Sequence, residues 1–383
     1  MRILHTIAYY PPDVAGGGAT EVVRQISERL VCRGHDVTVA TTFSPLRTCR
    51  THNGVNIKDF KVHGVLGQAV LGIRGEKASF LKLLRNGEYD IIMNYAAQTW
   101  HTDLTCQSLA SIRARTVLAA CGYSGLMGWR RLLYWRYFQT LPKYLRLYDA
   151  IIYHACKYRD SLYGAHHGIS NFRIIPNGVD AAEFIKPAID FRAYFGIQTP
   201  YILLAVGDHY RNKGHDRVIE AFSRLNRSDV TLVLIGRRVA GRLRGCWDHC
   251  QCASREMGGR ILMLSDAPRA HVAAAYMSAS LFVSGSHIEA FPLVILEAMA
   301  NGLPFVAFPA GNIAELPGGR IVSSTIEMAA TINSLLDAPE VSAKLGAIGR
   351  QEQRTHYEWE RAVDQYEALY KELLNRPKIS GIL

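Results

Sequence analysis

Two glutamates, Glu289 and Glu297, stand eight residues apart within Ser286–Phe308, SHIEAFPLVILEAMANGLPFVAF. The stretch reads as a loop, a short helix and a strand. Pro292 suits the first helical position, where a missing N–H costs nothing, and Asn301-Gly302 with Pro304 supply the stop. Leu293, Val294, Ile295, Leu296, Ala298, Met299 and Ala300 make this helix apolar all round, hence buried on every side. A carboxylate on such a helix needs a pairing or donating partner, because burying it bare is costly. The free N–H groups around Pro292–Ile295 form an anion site between the two carboxylates. Two acceptors for hydroxyls flanking a cradle for phosphate suit a nucleotide sugar. The plainer reading pairs Glu297 with a buried arginine and leaves Glu289 as a solvated loop charge.

The string E-A-F-P-L-V-I-L-E-A-M-A-x-G-x-P over Glu289–Pro304 resembles the Glu-x7-Glu signature of retaining GT-B glycosyltransferases, glycosyltransferase family 4. The resemblance implies that Glu289 contacts the donor sugar and Glu297 the nucleotide ribose, with Phe291, Pro292, Leu293 and Val294 at the donor phosphates. It extends to Gly311–Glu315, GNIAE, which is similar to the family's G-G-x-x-E segment.

The elements around this site read as alternating strands and helices. Tyr201–Gly207 is a strand, followed by DHYRNKGHDRVIEAF, in which Lys213-Gly214 precedes a helix carrying Val218, Ile219, Ala221 and Phe222 on one face. The family places an Arg after the glycine of this strand and a Lys five residues later, both against the leaving diphosphate. Lys213 fits. Asp208 stands in the Arg position, and Arg211 is the available substitute. Strands are expected at Val230–Gly236, Arg260–Leu264 and Ser280–Ser284, with helices at 240–257, 268–278, Ile326–Leu336 and Val341–Arg354. Gly207 and Gly236 end strands where the family contacts the nucleotide. Cys246, His249, Cys250 and Cys252 invite a metal reading, but C-x3-C-x-C lacks paired C-x-x-C knuckles, and thiols on a helix surface are the preferred reading.

In the first half, Arg2–Ala8 reads as a buried strand. A long loop with Pro11-Pro12 and Gly16-Gly17-Gly18 follows, then a helix Thr20–Cys32 and a strand Asp36–Thr42. This is a β-loop-α-β unit of a parallel sheet without the tight G-x-G-x-x-G dinucleotide turn. GGGATEVVRQISERLVCRGHDVTVAT resembles the opening of family 4, which assigns donor-phosphate or acceptor contact to Gly16 and Gly17. Further strands are expected at Val55–Phe60, Asp90–Asn94, Thr116–Ala120 and Asp149–Tyr153, with helices including Glu76–Arg85 and His101–Ile112. Ligands of such sheets sit beyond the carboxyl ends of the strands. That makes 95–101 and 121–128 acceptor-side walls, with His101, Tyr123 and Ser124 as candidates. Many family members carry a His soon after the Thr116–Ala120 strand; here the text is AACGYSGL, so the catalytic His is unassigned. His101 serves equally well as a helix-packing residue.

Trp129–Tyr148, WRRLLYWRYFQTLPKYLRLY, is dense in basic and aromatic side chains. It suits an anionic membrane surface or a lipid phosphate, or an amphipathic helix with Leu and Tyr on the core side; a nucleic-acid partner is disfavoured. Pro142 is expected to break it.

The chain has 383 residues, net charge +11 and 49% hydrophobic residues. That length exceeds one ordinary core, and most of the excess positive charge lies in the N-terminal half, which suits an acidic partner. No apolar run reaches the length of a membrane helix. Eight cysteines without a secretory leader suggest reduced thiols.

The expected architecture is α/β: a GT-B fold of two Rossmann-like domains with parallel sheets facing a central cleft. Residues 1–180, joined by a returning helix 357–376, form the acceptor domain, and 181–356 the nucleotide-sugar domain. The resemblance implies a retaining hexosyltransferase moving sugar from a UDP- or GDP-sugar to a saccharide or lipid-linked saccharide, in bacterial surface polysaccharide assembly. No Asp-x-Asp occurs, so no metal is required at the diphosphate. The protein is expected in the cytoplasm, with peripheral attachment to the inner membrane face as an option. The alternatives are a GT-B sugar-nucleotide epimerase and a non-catalytic nucleotide-sugar-binding protein.

Overall fold

A computed structural model describes residues 1–12, 17–64, 72–239 and 245–377. They form two compact units, Met1–Asn177 with Trp359–Leu383, and Gly178–Glu358.

The first unit is built on an eight-stranded sheet. From one edge the order is Phe172–Ile174, Ala150–Tyr153, Arg115–Ala119, Ile91–Tyr95, Arg2–Thr6, Asp36–Thr42, Val55–Phe60 and Thr51–His52. Every pairing is parallel except the last. The central strands are apolar on both faces, with Ile3, Leu4, Ile91, Ile92, Val117 and Leu118 fully buried, as a sheet covered on both sides requires. The antiparallel edge strand turns at Asn53-Gly54, both at positive φ (47° and 79°), the signature of a two-residue hairpin. The order reverses between Arg2–Thr6 and Ile91–Tyr95, which makes the carboxyl ends of these strands the switch point.

Helix Gly18–Cys32 starts two residues earlier than its periodicity suggests and buries Val22, Val23, Ile26 and Leu30. The C-terminal helix Trp359–Asn375 belongs to this unit and buries Ala362, Val363, Tyr366, Leu369, Tyr370 and Leu373. Arg33 fastens the two helices by pairing with Glu360, Asp364 and Glu367 at 2.7, 2.7 and 3.0 Å. The helix expected over His101–Ile112 is shorter, Trp100–Cys106, followed by a 3-10 turn Leu109–Ser111.

Pro142 does not break the basic aromatic stretch; it lies inside helix Trp135–Leu145. The carbonyl four residues back, on Phe138, has lost its helical donor, and the Tyr163 hydroxyl supplies the hydrogen bond instead. That helix buries Phe138, Leu141 and Leu145, while Trp129, Leu132, Leu133 and Trp135 are exposed.

The second unit carries a six-stranded, wholly parallel sheet. Its order is Ile261–Leu264, Val230–Ile235, Tyr201–Val206, Leu281–Ser284, Phe305–Ala307 and Gly319–Ile321. Helices His215–Ser223 and Thr325–Asp337 pack their apolar faces into one core with the sheet, including Phe222, Leu232, Leu281, Met328 and Ile332. The helix expected over 240–257 is Trp247–Glu256, residues 240–244 lying outside the described set. Here the order reverses between Tyr201–Val206 and Leu281–Ser284. No helix among the described residues is long and apolar enough to cross a membrane.

Candidate active site

The switch point of the second unit brings together two loops that are distant in sequence. Gly214 takes a left-handed conformation (φ 63°), and a Cβ on it would meet the Gly285 carbonyl oxygen at 1.9 Å. Only glycine permits both the conformation and the approach. The His287 N–H donates to the Asn212 carbonyl (2.9 Å) and locks the loops. Lys213 Nζ then donates to Glu289 Oε1 at 2.7 Å, and the Ser286 hydroxyl donates to the same oxygen at 2.8 Å. Lys213 and Glu289 are thus brought together. Glu289 is largely buried, so it is not the solvated loop charge of the plainer reading, whereas Lys213 keeps more of its surface open.

Gly207 and Gly236 end adjacent strands. A Cβ on Gly236 would lie 1.9 Å from the Gly207 carbonyl oxygen, so this approach needs glycine; at Gly207 the nearest neighbour is the Lys213 stem at 3.6 Å. Asp208, in the position where a cation was sought, pairs with the guanidinium of Arg237. The Arg237 Nε and backbone N–H both donate to Asp208 Oδ1, at 3.0 and 3.3 Å. The arginine beside this position therefore lies on the neighbouring strand's end and is engaged by Asp208, a pairing invisible without the sheet register. Arg211 opens the 3-10 turn Arg211–Lys213 and is solvent-exposed.

Helix Leu293–Ala300 begins one residue later than expected. Pro292 is its cap, with an extended ψ of 115°, and no side chain caps it. The Leu293 and Val294 N–H groups head the helix, while Ile295 N–H donates to the Pro292 carbonyl (3.2 Å). Phe291 is buried against Tyr357, ring centroids 5.8 Å apart. Glu297 is 8% exposed. Arg269 lies 2.7 Å from Glu297 Oε1 and also pairs with Glu183. Burial pushes the Glu297 carboxyl above the usual carboxylate range, and Arg269 and Tyr276 pull it partly back. Glu297 therefore does have an arginine partner, but that arginine is half exposed rather than buried and is shared with a second carboxylate.

In the first unit, Gly17 caps helix Gly18–Cys32 in an extended conformation; Gly16 lies outside the described residues. Two of the three acceptor-side candidates belong to the interior. His101 is fully buried, its Nδ1 2.9 Å from Thr6 Oγ1, and burial lowers its pKa to about 3. Tyr123 is fully buried and packs edge-on to Tyr163. Both rings lie in the core of the unit, His101 on helix Trp100–Cys106 and Tyr123 in the loop after strand Arg115–Ala119. Ser124 remains partly accessible. His154, which follows strand Ala150–Tyr153 at the carboxyl edge of the sheet, is buried like His101. Its Nδ1 contacts the Ile175 carbonyl (2.9 Å), and nearby Asp160 accepts from the Gly122 N–H (2.9 Å).

The surface-thiol reading of the cysteine group is corrected in part. Cys252 and His249 are exposed, but Cys246 and Cys250 are buried. Cys246 caps helix Trp247–Glu256 and Cys250 follows one turn later, so both point into the unit beside His209 and His215.

Known proteins are similar to this chain in sequence and in fold. The family model "Glycosyltransferase Family 4" matches residues 16–183 and "Glycosyl transferases group 1" matches 189–352. Glycogen synthase of Mycobacterium tuberculosis is 25% identical over 94% of this chain and 92% of its own length. Sucrose-phosphate synthase of Thermosynechococcus elongatus superposes with a TM-score of 0.79 at 20% identity, over 97% of this chain and 99% of that one. Anabaena HepE, solved with UDP-glucose, gives 0.78 at 18% identity, over 97% and 100%. Two Rossmann-like units with wholly or mainly parallel sheets, each matched by its own family model, identify the chain as a member of the GT-B glycosyltransferases.

Proposed function

We propose that this protein transfers a sugar, with retention of configuration, from a nucleotide-sugar donor to a saccharide or lipid-linked saccharide acceptor in surface polysaccharide assembly. The observation that carries the reading is the contact of Lys213 with Glu289 at the switch point of the second unit. A cation and a carboxylate meet there beside a helix head with free N–H groups, which is an arrangement for a leaving diphosphate next to a sugar.

Lys213 turns from Glu289 toward the diphosphate when donor binds, and the Leu293 and Val294 N–H groups share the charge. No metal at the diphosphate is needed when these groups neutralise it; the chain offers no Asp-x-Asp for one. Glu289, released from Lys213, accepts from a sugar hydroxyl. Glu297 accepts from the ribose, its charge kept by Arg269. Departure of the diphosphate leaves an oxocarbenium-like centre. The acceptor attacks from the vacated face and gives its proton to a phosphate oxygen. A UDP-sugar is the first donor to try, since HepE is solved with UDP-glucose.

The acceptor belongs to the first unit. Trp129, Leu132, Leu133 and Trp135, exposed among Arg130, Arg131 and Arg136, suit a lipid surface with anionic headgroups.

The test is a panel of UDP-, GDP- and dTDP-sugars, run without acceptor and then with lipid extract or anionic vesicles carrying lipid-linked saccharide. Nucleoside diphosphate and the anomeric configuration of the product are followed by NMR. Acceptor-dependent release with the donor's configuration kept is expected. An inverted product removes retention, and a changed nucleotide sugar without acceptor makes the protein an epimerase. Saturable donor binding with no turnover on any acceptor makes it a binding protein.

A further inference from the structure

Behind the loop that carries Lys213 lies a cluster with no part in the chemistry above. His209, His215, Cys246 and Cys250 each offer one ligating atom, and all four atoms lie within 4.8 Å of one another. The Cys246 thiol sulfur is 3.3 Å from His215 Nδ1 and 3.6 Å from His209 Nδ1. A tetrahedral zinc with two thiolates and two imidazoles puts its ligand atoms about 3.3–3.8 Å apart, given its bond lengths. The cluster is already close to that size.

The spacings have the same meaning. His209 and His215 form H-x5-H, and Cys246 and Cys250 form C-x3-C, both within the range of two-cysteine, two-histidine sites with the pairs in reverse order. The local structure fixes each pair. His209 and His215 flank the 3-10 turn Arg211–Lys213, and the tight bend at Gly214 brings their rings within 4.6 Å. Cys250 stands one helical turn after Cys246, its N–H donating to the Cys246 carbonyl (3.0 Å). The Cys246 N–H donates to the His209 carbonyl (2.9 Å), which joins the two pairs.

All four side chains are buried, His209 and Cys250 completely. Buried polar groups are expensive unless paired or coordinated, and two imidazoles with two thiols enclosed together are a donor set that suits one ion. We propose that His209, His215, Cys246 and Cys250 bind one structural Zn²⁺ that clamps the 208–214 loop to helix Trp247–Glu256. Four protein ligands close the coordination sphere, so the ion holds structure and touches no substrate. Its consequence for the site is positional: it fixes the two ends of the turn from which Lys213 reaches Glu289. The proposal stands whether or not the chain is a transferase.

The test uses the full chain, expressed with zinc supplementation and freed of any affinity tag. Metal content is read by mass spectrometry, and the protein is reconstituted with Co²⁺ after chelation. One zinc per chain is expected, with a thiolate-to-cobalt charge-transfer band and the intense visible bands of tetrahedral Co²⁺. Cys246→Ser and Cys250→Ser lose metal by more than the roughly ten- to hundredfold in affinity that changes around a ligand shell cause. Cys252→Ser and His249→Ala, on the exposed face of the same helix, keep it. Wild-type metal content and spectrum decide the question even if a ligand variant fails to fold. Metal-free wild type with no tetrahedral Co²⁺ spectrum overturns the proposal, and so does zinc that persists in the Cys246→Ser and Cys250→Ser variants.

Discussion

Lys213 and Glu289, 76 positions apart, meet at 2.7 Å because Gly214 lets two loop backbones come closer than any side chain would allow. On the proposed function the pair is a resting state, each group held by the other until donor separates them. Replacing Lys213 by Ala is therefore expected to lower kcat by about a hundred- to a thousandfold, the usual scale for a lost group on developing charge. Glu289→Ala should fall in the same range. Because donor binding separates the two groups and each then meets a different part of the donor, the double variant should lose close to the product of the two single losses. Steady-state rates of nucleoside diphosphate release check this, and a double variant no worse than the poorer single one would show that the two side chains act as one unit.

The strand-end glycines separate steric need from mere proximity. At Gly236 a Cβ would collide with the Gly207 carbonyl oxygen at 1.9 Å, whereas at Gly207 it would make ordinary contact with Lys213 at 3.6 Å. Gly236→Ala should destabilise the protein by about 1–3 kcal/mol, the usual range for overpacking, while Gly207→Ala should unfold at nearly the wild-type urea concentration. Equal urea midpoints for the two variants would contradict the geometry.

The regular elements were legible because their signals are local. Tyr201–Val206, Leu281–Ser284 and Leu293–Ala300 follow from apolar runs bounded by Gly and Pro. The motif string around Glu289 and Glu297 named the family for the same reason. What escaped depends on tertiary neighbours. Pro142 stays helical because Tyr163, on another helix, replaces the lost hydrogen bond. His101 and Tyr123 are buried by packing that their own spacing does not announce. Arg237 stands beside Asp208 only through sheet register. The His209–Cys246 contact joins residues 37 positions apart, beyond any motif spacing.

Arg269 is expected to act on Glu297 through its charge and its hydrogen bond. Arg269→Met leaves a buried carboxylate without its cation; because the Arg269 side chain is about half exposed, the cost should be about 1–3 kcal/mol, below that of a fully buried pair. The sign with pH follows from the raised pKa of Glu297, burial being the first cause. A carboxyl raised in the folded state favours folding while protonated and disfavours it once ionised. The variant's deficit should therefore be larger at about pH 8 than at about pH 5, because the higher pH favours the ionised carboxylate. Urea unfolding at both pH values measures it, and a deficit that grows on acidification would contradict an unpaired carboxylate.

Glu367 makes the opposite case in the first unit. It accepts from Lys371, Arg33 and His35, at 2.5, 3.0 and 3.2 Å, and is mostly buried between the first and last helices. The hydrogen bond from Lys371 is the largest cause that holds its pKa down to about 2, with Arg33 and His35 adding to it against the effect of burial. A lowered carboxyl contributes stability above its unfolded pKa of about 4.3 and loses it as pH falls toward the folded value. The contribution amounts to about 2–3 kcal/mol at neutral pH by that linkage. Glu367→Gln should therefore speed amide exchange across Trp359–Asn375 at neutral pH, because the last helix loses one of its three ties to Arg33 together with its contact to His35. The difference from wild type should shrink between about pH 4 and about pH 2, where the wild-type carboxyl takes up its proton. Hydrogen exchange read by mass spectrometry resolves this helix from the rest of the chain. A difference that persists undiminished at the acid end would assign the helix docking to its buried Tyr366, Leu369 and Tyr370 face, with no share for the ion pairs.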